Sequence, residues 1–246
     1  MAVRLGEGMG VGSTLAFTTG WVCIVFLWSV FRRYLQHRRL SHLFWSVSLA
    51  ASAVASFSYC GALWASGAAA EVWFRLYYTL GALWMPAWMG LGSLALVLRP
   101  RWVWAMASAV TVAGAAGSVL LSNAPIRPQA LAALAGQAGT GILAPGAWLG
   151  VLIPLNTFGA AAVIGIAVWS AWKTYRREAP VRFLYGNLWL AFGVLVISMA
   201  GTSARMGWGD LFWGVMFLGW GITYWGYRLL TPPAKAWVEP VPNGVR

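Results

Sequence analysis

Residues 11–31 read Val11-Gly-Ser-Thr-Leu-Ala-Phe-Thr-Thr-Gly-Trp-Val-Cys-Ile-Val-Phe-Leu-Trp-Ser-Val-Phe31. Arg32-Arg33-Tyr34-Leu35-Gln36-His37-Arg38-Arg39 follows at once. The first stretch carries no charge. A helix of about 20 apolar residues covers the roughly 30 Å hydrocarbon core of a bilayer, so residues 11–31 read as a membrane span. Only Arg4 precedes the run, whereas four arginines follow it. A cleaved signal peptide has the opposite arrangement, with basic residues before its apolar run and small residues at a cleavage site after it. The pattern predicts an uncleaved first helix with its N-terminus outside, because basic loops stay in the cytoplasm.

Six further apolar stretches have the same character, at roughly 43–65, 72–98, 103–122, 148–172, 183–204 and 210–229. The expected fold is an all-α membrane protein, a seven-transmembrane-helix bundle forming one domain over residues 1–246. Residues 230–246 are then a cytoplasmic tail. Under this threading one side holds Arg32, Arg33, Arg38, Arg39, Arg99, Arg101, Lys173, Arg176, Arg177, Arg182, Arg228, Lys235 and Arg246, which is 13 of the 17 basic residues. Arg4, Arg75, Arg127 and Arg205 fall on the other. The bias predicts an outside N-terminus and a cytoplasmic C-terminus in a multi-pass protein of the inner (cytoplasmic) membrane.

Composition agrees. Hydrophobic residues make up 60% of the 246-residue chain, charged residues only 9%, and mean hydropathy is +0.70. Soluble domains carry about 25% charged residues, and a water-soluble globule of this size could not hide so much apolar surface. The net charge of +12 would suggest nucleic acid in a soluble protein. Here it points to anionic membrane lipid, and no nucleic-acid partner is expected. Cys23 and Cys60 fall inside different spans at different depths and are expected as free, buried thiols.

Several patterns bear on packing. Trp28, Phe31, Tyr34, Trp45, Trp102, Trp104, Trp169, Trp172 and Tyr175 stand at inner helix ends, and Trp64, Trp73, Trp148, Trp208 and Trp213 at outer ends. They read as two interfacial aromatic belts. Ala105, Ala109, Ala113 and Gly117 form a four-residue series of small side chains that would let a neighbouring helix approach. Ser48, Ser52, Ser56 and Cys60 repeat at the same spacing, and their hydroxyls need partners inside the bundle. In the last span Gly214, Gly219, Gly221 and Gly226 read as close-packing positions. Pro86 and Pro154 lie inside spans and are expected to kink them, with the Asn156 amide placed to satisfy a freed carbonyl. The long outer segment 123–147 carries a short helical pattern over residues 129–135, read either as a lid over a pocket or as a plain connector.

An internal duplication is one reading of the chain. Trp28-Ser-Val-Phe-Arg-Arg-Tyr34 ends the first span and Trp169-Ser-Ala-Trp-Lys-Thr-Tyr175 ends the fifth, an offset of 141 residues (169 − 28). The same offset aligns Leu49-Ala50 with Leu190-Ala191. This suggests a 3+1+3 plan of two parallel triplets joined by a linker helix. The competing reading is that any cytoplasmic helix end selects Trp, then basic residues, then Tyr.

Candidate chemistry is sparse. His37 and His42 lie in or beside the first inner loop, the two lysines lie outside the spans, and no carboxylate stands near mid-membrane. A haem site, a zinc-protease motif, a retinal Schiff base and a proton-coupled carboxylate are therefore all unsupported, and no metal, cofactor or enzymatic activity is expected. One charged cluster remains at the outer rim: Glu71 and Arg75, four residues apart in the favourable order, with Arg205 and Asp210. They invite a salt-bridge network tying three helix ends together, or a gate or anion site centred on Arg75. Tyr77, Tyr78, Asn156, Tyr185 and Asn187 would add hydrogen bonds deeper in, with Tyr78, Asn156 and Asn187 completing a candidate ligand-binding set.

The stretch Phe74-Arg-Leu-Tyr-Tyr-Thr-Leu-Gly-Ala-Leu-Trp-Met-Pro-Ala-Trp-Met-Gly-Leu-Gly-Ser93 resembles a family of bacterial seven-helix integral membrane proteins to which no activity is attached. In layout the chain is also similar to the seven-helix sensor region of some bacterial histidine kinases, although 17 residues after Leu229 leave no room for a kinase domain. The 3+1+3 plan resembles small SWEET and PQ-loop carriers, but the sole Pro-Gln pair, Pro128-Gln129, falls in an outer loop. The resemblances transfer no site residues. Together these features predict small-molecule or lipid transport or binding within the bundle. The alternatives are a ligand-sensing module signalling to a separate cytoplasmic partner, or a structural subunit with a membrane-protein partner.

Overall fold

The computed structural model describes residues 10–178 and 180–231. Arg4, Lys235, Arg246 and the tail beyond residue 231 lie outside the described residues. The fold is all-α. Its helices are α1 (Val11–His37), α2 (Leu40–Trp64), α3 (Gly67–Tyr78), α4 (Met85–Leu94), α5 (Pro100–Ser122), α6 (Pro128–Ala132), α7 (Leu149–Arg176), α8 (Val181–Arg205) and α9 (Phe212–Leu230). A π-helical segment, Thr79–Trp84, joins α3 to α4, and a 3-10 turn, Gly209–Leu211, leads into α9. Five helices, α1, α2, α5, α7 and α8, are each long and apolar enough to cross a membrane. Large apolar side chains cover the exterior, among them Val112, Leu218 and Trp225. A surface of that kind is stable against lipid and not against water.

Helices outrun the predicted apolar spans where nothing breaks them. α1 continues past Phe31 through Arg32 and Arg33 and stops only at Arg38, which takes a left-handed φ of 50°. Arg32 lies over the Trp28 ring and Arg38 over Tyr34, so the basic side chains reach outward along aromatic faces. α7 likewise runs on to Arg176, with Lys173 over Trp169 and Arg176 over Trp172. Pro100 opens α5 at a position where its missing N–H costs nothing.

The helices pack as a layered bundle. α2 is central, flanked by α1, α3 and α4, while α8 packs between α7 and α9. Two further contacts close the bundle, α1 along α9 and α4 along α7. α5 stands at the periphery against α4 and α7. Glycines set the closest approaches. A Cβ on Gly159 would lie 2.1 Å from the Pro86 carbonyl oxygen, so α7 and α4 touch backbone to backbone there. Gly186 and Gly193 on α8 meet Gly226, Gly219 and Thr223 on α9 in the same way. Gly221, expected to pack, faces open space instead, and a Cβ on Gly214 would touch only Leu15 of α1 at 3.9 Å, because both glycines lie on the side of α9 away from α8.

Other expectations are corrected similarly. The small-residue series Ala105, Ala109, Ala113 and Gly117 is not the packing face of α5. Ala105 and Ala109 are exposed, and the buried stripe is Val103, Ala107, Val110, Gly114, Gly117 and Leu121. A step of four residues overshoots one turn by about 40°, so a strict four-residue series drifts off any one face. Trp45, Trp148 and Trp213 are buried and belong to the core rather than to an interfacial belt. The long segment 123–147 forms only the five-residue α6 as α-helix and then turns back over the bundle through Ala135 and Gly136, both at positive φ. Cys23 and Cys60 are free and buried.

Candidate functional site

The joint between α3 and α4 creates the site. Pro86 has no N–H, so the carbonyl of Ala82, four residues earlier, loses its α-helical donor. The chain responds with the wider π turn over Thr79–Trp84. Asn156 of α7 donates its amide to the Ala82 carbonyl, and also to Leu152 O of its own helix at 2.9 Å. The Asn156 amide therefore does satisfy a proline-freed carbonyl, but the proline is Pro86 of the facing helix rather than Pro154. α7 runs unbroken through Pro154, which is exposed. On the other side of the joint, the Ser48 hydroxyl donates to Met85 O at 2.8 Å.

The serine face of α2 looks inward, as its spacing predicts. Ser48, Ser52, Ser56 and Cys60 are all buried. Ser52 Oγ lies 3.3 Å from Cys23 Sγ, and Ser56 donates to Ser52 O at 3.0 Å.

Between this face, the α3–α4 joint, α7, α8 and the start of α9 lies a chamber of about 530 Å³. That volume lies within the range of small-molecule sites, roughly 300–1,000 Å³. Ser52 and Ser56 line one wall, with Tyr77, Tyr78, Ala82, Met85, Pro86 and Met89 on the next. Leu152, Ile153, Asn156, Thr157 and Val163 come from α7, and Val194, Ser198, Thr202 and Arg205 from α8. Phe212, Trp213 and Met216 of α9 complete it.

Ala138 and Thr140 of the long loop form the roof. Two tyrosines pin that roof: Tyr59 donates to Gln137 O at 2.7 Å and Tyr77 to Ala138 O at 3.2 Å. Gly139 holds φ +70° with the Phe74 ring packed where a Cβ would stand, so the turn admits no side chain. A smaller recess of about 280 Å³ between the loop and residues 204–209 shares Ala138 and Thr140 with the chamber. The roof therefore has a recess on its far side.

Below the chamber the bundle is filled. Phe26, Val30, Trp45, Leu49, Leu190, Trp220 and Tyr227 form a continuous buried cluster at the arginine-rich end. Phe26 packs against Trp45, Trp220, Tyr224 and Tyr227, with ring centroids 5.1–6.3 Å apart.

Three of the sequence-predicted site residues, Tyr78, Asn156 and Arg205, converge on the chamber, as does Pro86. Among the described residues Arg205 is the one charged side chain that lines the chamber, and it lies beside the Tyr78 hydroxyl. Four predicted residues do not converge. Arg75 donates to Leu121 O at 2.7 Å and Ala124 O at 2.9 Å, closing the end of α5. Glu71 is half-buried and Asp210 exposed. Asn187 donates to Phe183 O of its own helix at 2.7 Å, near the arginine-rich end. The expected salt-bridge network is absent: these four charges form no ion pair among the described residues, because backbone carbonyls and the Tyr78 hydroxyl occupy the two arginines.

Tyr77, read from the sequence as a hydrogen-bonding neighbour of Tyr78, lines the chamber, whereas Tyr185 is exposed and does not. The sequence reading missed Tyr59, Trp213 and the α8 residues Ser198 and Thr202 as site residues. The last two precede Arg205 by seven and three residues, a helical spacing that marks one polar face. Trp213 is 1% exposed, and its indole packs against the Tyr59 ring with centroids 4.6 Å apart. Among the described residues no three His, Cys, Asp or Glu side chains gather. Comparison with protein-family models, with curated proteins and with solved structures returns no match.

Proposed function

We propose that the protein is a seven-span inner-membrane protein that binds a small, mostly apolar molecule in the chamber and carries it across the bilayer. Gly67–Leu94 serves as the third span, bent but continuous through its π turn, and Gly209–Leu230 as the seventh. The helix ends that carry Arg32, Arg33, Arg38, Arg39, Arg99, Arg101, Lys173, Arg176, Arg177, Arg182 and Arg228 face the cytoplasm. The roofed chamber then faces outward.

The observation that carries this reading is where the chamber begins and ends. It reaches from the outer loop to the middle of α7, α8 and α2, and the buried cluster around Phe26 and Trp220 fills the inner half. That is the shape of an outward-facing carrier with a closed inner gate. The chamber also lies between α2–α4 and α7–α9, which belong to the two triplets, α1–α4 and α7–α9, of the 3+1+3 plan. Packing supports that plan. α1 lies along α9 and α4 along α7, the exchanged pairs that a twofold relation between triplets requires. Arg32 over Trp28 and Lys173 over Trp169 are cation–π pairs at aligned positions.

The filled inner half also favours a second reading, an outer ligand sensor that signals through α8 and α9 to a cytoplasmic partner. Mass spectrometry of compounds that co-purify with the protein tests the site. A compound retained by the wild type should be lost from Ala160→Trp, which fills the chamber. Equal retention refutes the site. Proteoliposomes then separate the two readings: a carrier moves that compound across the bilayer, and a sensor binds it without moving it.

A further inference from the structure

The chamber is open at its side as well as roofed at its end. Ile153, Thr157 and Ala161 on α7 line it and are exposed, and so are Ser198 and Thr202 on the facing stretch of α8. A Cβ on Gly201, between them, would meet nothing within 4 Å. At the other end of these helices, α7 and α8 are held together by the buried residues Val163, Ala167, Leu190 and Val194. The two helices therefore close at the arginine-rich end and part at the roofed end. Under the proposed threading the parting lies at the depth of the lipid chains and opens towards lipid.

The wall chemistry is graded along the chamber. Arg205, Thr202, Tyr78 and Thr140 stand at the roofed end, together with the Trp213 indole, which packs beside Tyr59. Met85, Met89, Val163 and Val194 form the deep end. Among the described residues no carboxylate lines the chamber. A ligand matching this gradient has a head rich in acceptor oxygens, a net negative charge and one flexible hydrocarbon chain. Methionine side chains adapt to such a chain, and arginine recognises an anionic oxygen head. The slit offers such a molecule a route that never leaves the membrane.

Building on the proposed binding role of the chamber, we infer that its ligand is a single-chain anionic amphiphile, a fatty-acid-like lipid, which enters sideways from the outer leaflet between α7 and α8. The head rests against Arg205 and Trp213, and the chain lies towards Met89.

A photoreactive long-chain fatty acid carrying a mid-chain diazirine, added to the full chain in nanodiscs, tests this. Crosslinks should map to α4, α7 and α8 where they line the chamber, in excess over the lipid-facing side of α5. Oleate should compete, and the corresponding long-chain alcohol should not. Arg205→Gln should weaken labelling roughly tenfold, the worth of one charge-assisted hydrogen bond. Thr157→Trp should block the slit and abolish chamber labelling while labelling of α5 persists. Ser198→Trp blocks the same slit from α8, so a misfolded Thr157→Trp protein does not leave the question open.

Labelling spread evenly over all lipid-facing helices, or labelling indifferent to both slit variants, overturns the inference. Equal competition by the alcohol overturns the anionic head. If a water-soluble compound co-purifies, is lost from Ala160→Trp and is retained by both slit variants, the chamber stands as the site and the lateral lipid route falls. If neither the fatty acid nor any co-purified compound responds to Ala160→Trp, the chamber itself falls.

Discussion

Arg75 and Asn156 are held by backbone carbonyls rather than by opposite charge, and that determines what their removal costs. Arg75 donates to two carbonyls where α5 ends, at Leu121 and Ala124. Arg75→Ala should lower stability by about 1–3 kcal/mol, because the partners left behind are buried carbonyls rather than a solvated carboxylate. Glu71→Ala, which removes no such bond, should stay within about 0.5 kcal/mol. Thermal unfolding in detergent measures both, and equal losses would restore the Glu71–Arg75 pair. Asn156 serves the Ala82 carbonyl that Pro86 leaves without a donor. Asn156→Leu should cost about 1 kcal/mol, at the modest end because polar contacts inside membranes average below that. The loss should be local, so hydrogen exchange should accelerate across Thr79–Trp84 and remain unchanged in α8 and α9. Uniform acceleration along the chain would mean that Asn156 does not brace the joint.

At the scale of elements, α8 and α9 form the tightest pair. A Cβ at Gly193 would sit 2.4 Å from the Thr223 hydroxyl oxygen and 2.6 Å from its backbone nitrogen, so Gly193→Ala must push the helices apart. The expected cost is about 1–3 kcal/mol from overpacking. Gly221 faces open space, and Gly221→Ala should be neutral or gain up to about 1 kcal/mol from helix propensity. Melting temperatures that move alike in the two variants would refute this assignment of faces. The existence of the helices was legible in the sequence because lipid imposes a length and an apolarity on each crossing. The π turn was not legible. Pro86 announces a missing donor, but the choice between a kink and a wider turn depends on Asn156 and Ser48 reaching it from other helices. The buried face of α5 was misread because several small residues compete on one helix, and only the neighbours Trp84 and Val151 select Gly114 and Gly117.

For the whole molecule, the two ends differ in charge and in filling, and these differences coincide. The end with eleven of the fourteen described basic residues, Arg32 through Arg228, is packed solid around Phe26 and Trp220. The end with Arg75, Arg127 and Arg205 holds the chamber. Tyr78, Asn156 and Arg205 could be picked from the sequence because polar residues stand out in apolar spans. Their convergence could not, since it follows from α4 packing on α7 and from a loop that folds back over the bundle. The charge difference predicts how the molecule sits. Gly141 in the roof loop is exposed with open space around it, and Tyr175 at the opposite end is 72% exposed. In intact cells a membrane-impermeant maleimide should label Gly141→Cys at once and Tyr175→Cys only after permeabilisation. Cys23 and Cys60 are buried and should stay silent in both backgrounds. Labelling of Tyr175→Cys in intact cells, with Gly141→Cys protected, would turn the molecule over and place the chamber on the cytoplasmic side. An arginine-rich face directed outward would contradict the charge rule that orients membrane helices, so this single pair of variants tests the orientation on which the outward-facing chamber depends.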